Sequence, residues 1–250
     1  MSVKSILVSQ PRPENEKSPY FSLAEKYKLK IDFRSFIHVE GINGQDFRKE
    51  RINLTDHTGI ILTSRNAVDH YFRIAEEMRF TVPDSMKYFC ISEAVAYYLQ
   101  KYVVYRKRKI FHGNRTIADM TDILKKNKNE KFLVPCSDIQ RKVIPQQLEA
   151  LGLNFTNATL YKTVCSDLSD LEDVKYDMLV FFSPSGIESL FKNFPEFKQN
   201  GTKIAVYGNT TATAVENAGL RIDVRAPQPE FPSMTMAIEK FVKAKKKSVK

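Results

Sequence analysis

Small hydroxyl and amide side chains stand directly after several apolar runs of this sequence. The clearest groups are Thr63-Ser64-Arg65-Asn66, Ser183-Pro184-Ser185-Gly186 and Gly208-Asn209-Thr210-Thr211. Residues of these types cap helix N-termini, where unpaired backbone N–H groups and the positive end of the helix dipole attract carboxylate or phosphate. The pattern predicts a set of anion-binding turns, and helix capping alone is the alternative interpretation.

Motifs for several other chemistries are missing from the sequence. It contains no GxGxxG, no GxxxxGK[ST] and no GxSxG, so nothing indicates a nucleotide-binding loop or a serine hydrolase. The three cysteines, Cys90, Cys136 and Cys165, form no CxxC pair, and the four histidines have no metal-ligand spacing. We therefore expect no metal site.

The anion-binding turns need a scaffold, and the rest of the chain indicates which one. Short apolar runs alternate with stretches of helical periodicity, and the runs are 6–9, 59–63, 88–91, 132–134, 178–182 and 204–207. Residues 29–39 alternate apolar and polar side chains, which is the period of a half-buried strand. This alternation predicts an α/β fold with parallel sheets covered on both faces. Ligands of such sheets bind at the carboxyl ends of the strands, where the turns lie.

One stretch of the sequence occurs twice. Residues 61–72 align without gaps on residues 180–191, so that Ser64 falls on Ser183. The segment that begins the chain resembles the segment 131–160, which ends the first copy. This order predicts two similar α/β domains, the first interrupted by the second. The predicted boundaries are 1–38 with 164–250 for the first domain, 42–157 for the second, and 39–41 with 158–163 for two linker strands.

The charge balance leaves several kinds of partner open. The 250 residues carry a formal net charge of +10, with 39 Lys and Arg against 29 Asp and Glu. Much of the excess lies in residues 106–109 and in the tail 240–250. Such a field can attract nucleic acid, an acidic lipid surface or a polyanionic small molecule. No apolar run approaches the ~20 residues of a membrane span and no signal peptide is visible, so we expect a cytoplasmic protein without a membrane partner.

Several segments, taken in their order and spacing, resemble the uroporphyrinogen-III synthase family over essentially the whole chain. They are ILTSRNAV (61–68), the stretch from Phe132 through Arg141 to Gly152, LYKT (160–163), LVFFSPSGIESLF (179–191) and AVYGNTTATAVENAGL (205–220). The resemblance implies two flavodoxin-like or Rossmann-like parallel-sheet domains joined by a two-stranded β-ladder.

The resemblance also implies a reaction. Enzymes of this family are cofactor-independent lyases that expel water from hydroxymethylbilane, a linear tetrapyrrole with acetate and propionate side chains. They close the ring with inversion of the terminal pyrrole to give uroporphyrinogen III. Catalysis by positioning and water exclusion suits a chain with many carboxylate anchors. We expect a monomer whose partner is this small molecule, received from the preceding enzyme of the pathway.

The same resemblance assigns roles to individual residues. Tyr161, within LYKT, matches the tyrosine that assists departure of the hydroxyl by donating a proton or a hydrogen bond. Packing of Tyr161 on a linker strand is the alternative, as is a structural role for Arg141. The matched substrate-binding residues are Thr63, Ser64, Arg65, Ser183, Ser185, Gly186, Gly208, Asn209, Thr210, Thr211, Arg12 and Arg141.

Two other classes of protein fit parts of the sequence. One is a two-lobed binding protein that recognises an anionic small molecule without chemistry. The other is a nucleic-acid-binding protein, suggested by the net positive charge. The sequence contains no recognised nucleic-acid-binding motif and lacks the interleaved aromatic residues of single-strand binders, so we expect no specific nucleic-acid partner.

Overall fold

The computed structural model describes residues 3–139, 143–171 and 175–247 of the chain. The chain divides into two compact units, unit 1 with residues 1–38 and 164–250, and unit 2 with residues 39–163. Each unit contains one sheet with parallel strand pairs and helices packed on it. The α/β class with parallel sheets expected from the sequence is therefore confirmed.

The bounds of the elements follow in chain order. Within the described residues, the strands are β1 (Ser5–Val8), β2 (Lys30–Phe33), β3 (Ile37–Gly41), β4 (Gly59–Leu62), β5 (Lys87–Cys90), β6 (Ile110–His112), β7 (Phe132–Ser137), β8 (Phe155–Cys165), β9 (Met178–Phe181), β10 (Lys203–Tyr207) and β11 (Val224–Ala226). The α-helices of the same residues are α1 (Pro19–Tyr27), α2 (Gly44–Lys49), α3 (Arg65–Glu77), α4 (Glu93–Leu99), α5 (Thr121–Lys126), α6 (Val143–Ala150), α7 (Pro184–Asn193), α8 (Asn209–Asn217) and α9 (Met234–Lys247). None of these described helices is both long enough and apolar enough to cross a bilayer.

The sheet of unit 1 has helices on both faces. Its strand order over the described residues is β11-β10-β9-β1-β2, and each neighbouring pair is parallel. Ile6 of β1 belongs to a buried cluster with Ile238 of α9, whereas the next residue, Leu7, belongs to a cluster with Leu190 of α7. Both faces of the strand are thus in apolar cores, which explains why its sequence is a continuous apolar run.

The sheet of unit 2 is built in the same way. In the part of the chain that the structure describes, its order is β3-β8-β7-β4-β5-β6. Ile60 of β4 packs in the cluster that contains Tyr71 of α3, and Ile61 packs in the cluster that contains Leu124 of α5 and Leu148 of α6. The carboxyl ends of β4, β5 and β7 therefore meet at one edge, between two helical layers.

The single strand expected over residues 29–39 is two strands in different sheets. β2 ends at Phe33 beside β1, and β3 begins at Ile37 beside β8. Between them, Phe36 is buried with its ring 5.6 Å from that of Phe181, and its carbonyl oxygen accepts the N–H of Ser166 at 2.9 Å. The chain passes from one sheet to the other at Phe36. The alternation of apolar and polar residues over 29–39 continues across this point, so nothing in the sequence marks the change.

The core of unit 2 contains a hydroxyl whose removal should be stabilising. The Oη atom of Tyr71 is buried and has no hydrogen-bond partner among the described residues, and burial raises the pKa of this phenol. Y71F keeps the ring and removes the desolvated polar atom. We expect the free energy of unfolding to rise by about 1 kcal/mol, as measured by urea unfolding.

The variant Y98F serves as a control, because it also removes a tyrosine hydroxyl but one that has a hydrogen-bond partner. Tyr98 donates a hydrogen bond to Asp69 Oδ2 at 2.8 Å, so Y98F should lower the free energy of unfolding. A loss of stability in Y71F that equals the loss in Y98F would contradict the prediction.

Candidate functional site

The carboxyl edge of the unit 2 sheet brings Ser64 and Tyr161 together. Ser64 follows β4, and the register of β7 with β8 sets Ser137, at the end of β7, opposite Tyr161. Parallel strands end at the same edge of a sheet, so these residues lie at one level. Ser64 Oγ is 3.4 Å from Tyr161 Oη, although 97 positions separate the two in the sequence.

A β-bulge in β8 determines the direction of Tyr161. Cys136 stands opposite Thr159 and Ser137 stands opposite Tyr161, so Leu160 is an extra residue in the ladder. In a regular strand, Leu160 and Tyr161 would point to opposite faces of the sheet. Here both belong to the same buried cluster. The bulge has therefore turned Tyr161 toward α3, as bulges beside functional sites often redirect a side chain.

Arg73 of α3 stabilises the bulge. Its Nη2 atom donates to the carbonyl oxygens of Ile42, at 2.7 Å, and Leu160, at 3.1 Å, while Nη1 pairs with Glu77. A Cβ atom at Gly41 would lie 2.7 Å from the guanidinium carbon, so a glycine at this position leaves room for the arginine. The guanidinium thus joins the α3 helix to two backbone segments that adjoin Tyr161.

The imidazole ring of His70 lies against the Tyr161 ring. The ring centroids are 5.0 Å apart and the planes differ by 21°. Arg73 Nε donates to His70 Nδ1 at 3.1 Å, so the proton of the neutral imidazole is on Nε2. Burial, and then the positive charge of Arg73, lower the pKa of His70 below its ordinary value. His70 is therefore neutral at pH 7 and places no charge beside the phenol.

The environment of Tyr161 keeps its phenol protonated. The side chain is only 8% exposed. Burial raises the pKa of Tyr161 above its ordinary value, and the hydrogen bond with Ser64 opposes part of that rise. At neutral pH this group can donate a proton or a hydrogen bond, and it is unsuited to act as a base.

Ser64 and its neighbours form the start of α3. Ser64 Oγ accepts the N–H of Ala67 at 3.1 Å, which is an N-cap. Thr63 is half-buried, and Arg65 is exposed with its guanidinium 5.3 Å from the centre of the Tyr98 ring. A cation in the first helical turn gains nothing from the helix dipole. The contact with the Tyr98 ring is the interaction within the protein that the structure gives for Arg65.

Ser183 repeats this capping geometry in unit 1. Its Oγ accepts the N–H of Gly186 at 3.2 Å at the start of α7. Gly186 is buried, and a Cβ atom there would lie 3.8 Å from Ser9 Oγ, so the turn after β1 adjoins the turn after β9. Ser185 is half-buried. The structure thus brings Ser9 next to the predicted residues Ser183 and Gly186.

The turn from Gly208 to Thr211 begins α8. Gly208 has φ 86°, a conformation that favours glycine, and its N–H donates to Ala226 O at 2.7 Å. Asn209 and Thr210 are exposed in the first turn of the helix. Thr211 is 1% exposed, so its hydroxyl is turned into the protein. Of the two threonines, only Thr210 presents a hydroxyl to solvent.

Two arginines, Arg12 and Arg141, are matched to the family by resemblance. Arg12 is exposed after β1, and its guanidinium lies 5.1 Å from the centre of the Phe21 ring. Arg141 lies outside the described residues.

Metal binding and thiol chemistry receive no geometric support. Among residues 3–139, 143–171 and 175–247, no group of three or more His, Cys, Asp or Glu side chains could hold a metal ion. Burial raises the pKa of Cys90 to about 12 and that of Cys136 to about 11, so both thiols are protonated at neutral pH. The side chains that the structure brings together in unit 2 are the Ser64 hydroxyl, the protonated phenol of Tyr161 and the His70 ring.

Sequence reasoning did not single out His70 and Arg73. Their separation of three places them on one face of α3, which begins at the predicted turn of Ser64. The signal available in the sequence was that both residues follow the predicted binding turn at Ser64 within about three turns of the same helix. It could not identify Tyr161 as their partner, because that contact depends on the register of β8.

Comparisons with known proteins indicate one family. A model of the family described as Uroporphyrinogen-III synthase HemD matches residues 19–236. A uroporphyrinogen-III synthase of Chlorobaculum parvum is 24% identical over 257 aligned positions, which cover 96% of this chain and 100% of that protein.

Two solved structures share the fold. The crystal structure of uroporphyrinogen-III synthetase from Helicobacter pylori 26695 superposes with a TM-score of 0.60 at 17% identity, over 96% of this chain and 99% of that one. A mutant uroporphyrinogen III synthase from Thermus thermophilus gives a TM-score of 0.54 at 14% identity, over 98% and 99% of the two chains. At these identities the likeness is one of fold.

Removing the hydroxyl of Ser64 should raise the pKa of Tyr161 further. S64A deletes the hydrogen bond that lowers this pKa and leaves the burial that raises it. The substitution also removes the N-cap of α3, which costs about 1 kcal/mol. S183A removes the equivalent cap of α7 and is the matched control.

Carbon-13 NMR of the tyrosine Cζ atoms, with the Tyr161 signal assigned by its loss in Y161F, follows the ionisation against pH. We expect the Tyr161 midpoint to move upward in S64A and to stay in place in S183A. A midpoint that moves downward in S64A, or moves equally in both variants, would show that the contact does not control the phenol.

Proposed function

The chain belongs to the uroporphyrinogen-III synthase family, and from that premise we propose that it converts hydroxymethylbilane into uroporphyrinogen III. In this reaction the hydroxyl group of the linear tetrapyrrole leaves as water, the macrocycle closes, and the terminal pyrrole ring is inverted. We assign the chain to the hydro-lyases and propose that it works without a cofactor. The observation that carries the proposal is the protonated phenol of Tyr161 beside Ser64, within a family match that spans residues 19–236.

Tyr161 acts as the proton or hydrogen-bond donor in this proposal. As the C–O bond of the hydroxymethyl group breaks, the phenol donates to the departing oxygen, which leaves as water, and the proton that a pyrrole carbon loses when the new C–C bond closes the ring balances the one taken up by the water. The phenol carries its proton at neutral pH, and because burial raises its pKa it is better suited to donate a hydrogen bond to the departing oxygen than to release the proton completely. The neutral ring of His70 holds the phenol in place by stacking and does not stabilise a phenolate.

The anion-binding turns are assigned to the acetate and propionate groups of the substrate. Helices α3, α7 and α8 each begin with unpaired backbone N–H groups, which suit carboxylates. The proposed ligand groups are Thr63, Ser64 and Arg65 in unit 2, and Arg12, Ser183, Ser185, Gly186, Gly208, Asn209, Thr210 and Thr211 in unit 1. The burial of Thr211 limits its contribution to the backbone N–H. Arg141 is included by resemblance alone.

The domain organisation and the setting of the enzyme are part of the proposal. Segments 39–41 and 158–163 are assigned as linker strands, supported by their place in β3 and β8, which are neighbours in one sheet. We further propose a cytoplasmic monomer that receives hydroxymethylbilane from the preceding enzyme of the pathway and has no specific nucleic-acid partner.

Replacing Tyr161 with Phe tests the proposed donor. Y161F keeps the ring that stacks on His70 and removes the proton. We expect the rate of uroporphyrinogen III formation to fall at least tenfold, which is the low end of the contribution of a general acid. Chromatography that resolves the two uroporphyrinogen isomers measures the rate, and Y71F, which removes a buried hydroxyl of the same unit, should react at the wild-type rate.

The same assay separates the enzyme from a binding protein. Unassisted closure of the substrate gives the isomer without inversion. A wild-type protein that produced only this isomer would be a binding protein, and the proposed function would fail. Wild-type rates in Y161F, with inverted product, would remove Tyr161 from the mechanism and leave the enzyme assignment in place.

Replacing Arg73 with Lys tests the support of Tyr161. A single ammonium group keeps the charge but cannot contact Ile42 O, Leu160 O and His70 Nδ1 together. We expect uroporphyrinogen III formation to fall about tenfold and the free energy of unfolding to fall by about 1–2 kcal/mol. R48K, on the exposed side of α2, should change neither quantity, and unchanged turnover in R73K would contradict the positioning role.

A further inference from the structure

One connection in unit 2 exposes apolar and aromatic side chains next to positive charges. We call residues 97–109, from the end of α4 to the residue before β6, the basic loop. Tyr97 is 76% exposed, Val104 is 79% exposed, and Tyr105 is exposed as well. Exposed apolar residues scattered singly are ordinary, but several on one short segment indicate a surface for interaction.

The charge of the basic loop has a single sign. No Asp or Glu occurs between Glu93 and Asp119 in the sequence. The loop itself carries Lys101 and the four consecutive cations of residues 106–109. This combination of exposed tyrosine, valine and clustered cations is typical of surfaces that meet an anionic interface.

Part of this charge is compensated within the unit. Arg106 Nη2 lies 3.6 Å from Asp84 Oδ2, and Lys109 Nζ donates to the backbone oxygen of Asp84. Lys107 and Arg108 are exposed, and the ion pairs found among the described residues do not include them. These two side chains are the cations most available to an external anion.

Internal contacts hold the loop in an ordered conformation. The Tyr98 and Tyr102 hydroxyls donate to the two carboxylate oxygens of Asp69 at 2.8 and 2.7 Å. The Tyr102 ring stacks on Phe72 with centroids 4.4 Å apart, and Lys101 Nζ lies 4.1 Å from the centre of the Tyr98 ring. The outward residues are therefore presented on a fixed base, which reduces the entropy that binding would cost.

A cavity of about 400 Å³ opens beside the loop. Its lining is mainly apolar and also contains one carboxylate with the two cations that contact Asp84: the residues include Val82, Met86, Ile110, Asp84, Arg106 and Lys109. Because Asp84 compensates these two cations, the cavity by itself does not select an anionic ligand. It adds apolar surface beside the loop, and the charge of the surface comes from Lys107 and Arg108.

The ring contacts favour lipid over single-stranded nucleic acid. Bases stack on open aromatic faces, but the Tyr98 ring already has Lys101 and Arg65 over it, and the Tyr102 ring is stacked on Phe72. The other exposed rings of the loop are those of Tyr97 and Tyr105, which are eight residues apart and form no continuous stacking platform in the sequence. Val104, one of the most exposed residues, has no ring on which a base could stack. At a bilayer interface, by contrast, valine and tyrosine both gain by insertion.

We propose that the basic loop docks unit 2 on an anionic lipid bilayer, with Lys107 and Arg108 at the head groups and Val104 and Tyr105 in the interface. The sequence-based expectation of no membrane partner rested on the lack of a spanning run, which peripheral docking does not need. The docking residues 104–108 of the loop shortly precede β6, at the amino ends of the strands, while Ser64 and Tyr161 lie at the carboxyl ends. Docking therefore leaves the site of this unit open to its substrate.

Flotation of the full chain with lipid vesicles tests the proposal. We expect severalfold more protein on vesicles of phosphatidylcholine with phosphatidylglycerol than on pure phosphatidylcholine. Since each cation near an anionic surface contributes about fivefold in binding, K107E/R108E should reduce binding at least tenfold. V104S/Y105S should reduce it severalfold and should remove most of the binding that remains in high salt.

A matched charge reversal separates this surface from the general charge of the protein. K125E/K126E makes the same change at two exposed lysines of α5 and should bind within twofold of the wild type. All variants should keep the turnover of the wild type, and K107E/R108E and V104S/Y105S should also keep its thermal midpoint, whereas K125E/K126E can lower the midpoint slightly because it removes two cations from the last turn of α5. Equal binding to both kinds of vesicle, an equal loss in K125E/K126E, or no loss in V104S/Y105S would each overturn the proposal. So would single-stranded RNA that binds more tightly than the vesicles and is lost in K107E/R108E.

Discussion

The extra residue Leu160 in β8 is the constraint on which the candidate site depends. A bulge leaves the backbone locally unpaired, and a buried carbonyl without a donor costs about 1–3 kcal/mol. Here the Leu160 oxygen accepts both the N–H of Ile42, at 2.9 Å, and Arg73 Nη2, at 3.1 Å. The direction of Tyr161 is therefore fixed by groups from two other segments of the chain, and the phenol, the helix α3 and the strand β8 form one structural unit.

What could be predicted from the sequence is what short segments determine by themselves. The apolar runs of β4 and β9 and the capping serines Ser64 and Ser183 are local features, and both serines do cap helices. The α/β class and the family follow from such features in their order. The change of sheet at Phe36 and the bulge at Leu160 could not be predicted, because both are imposed by residues far away in the sequence. His70 and Arg73 were missed for the same reason.

The two copies of the repeated motif support the following strand segments by different means. In unit 2, His70 and Arg73 reach β8 from α3. In unit 1, the position equivalent to His70 is the buried Ser189. The contact from α7 to the segment that follows β8 is made instead by Asn193, whose side-chain amide donates to Ser166 O at 3.0 Å. A small serine leaves no ring to orient an aromatic donor. The repeat thus keeps the serine that caps the helix in both units, at Ser64 and Ser183, whereas the stacked pair of His70 and Tyr161 has no counterpart at Ser189.

Two of the cations of the basic loop, Lys107 and Arg108, are explained neither by helix stability nor by ion pairs within unit 2. Cations stabilise a helix C-terminus only near its last turn, which accounts for Lys101, two residues beyond the end of α4. Asp84 accounts for Arg106 and Lys109. Lys107 and Arg108 are too far along the chain for the α4 dipole and repel each other at short range, which costs free energy in the isolated protein. An anionic surface would turn that cost into a gain, which is the contribution that Lys107 and Arg108 make to the proposed docking.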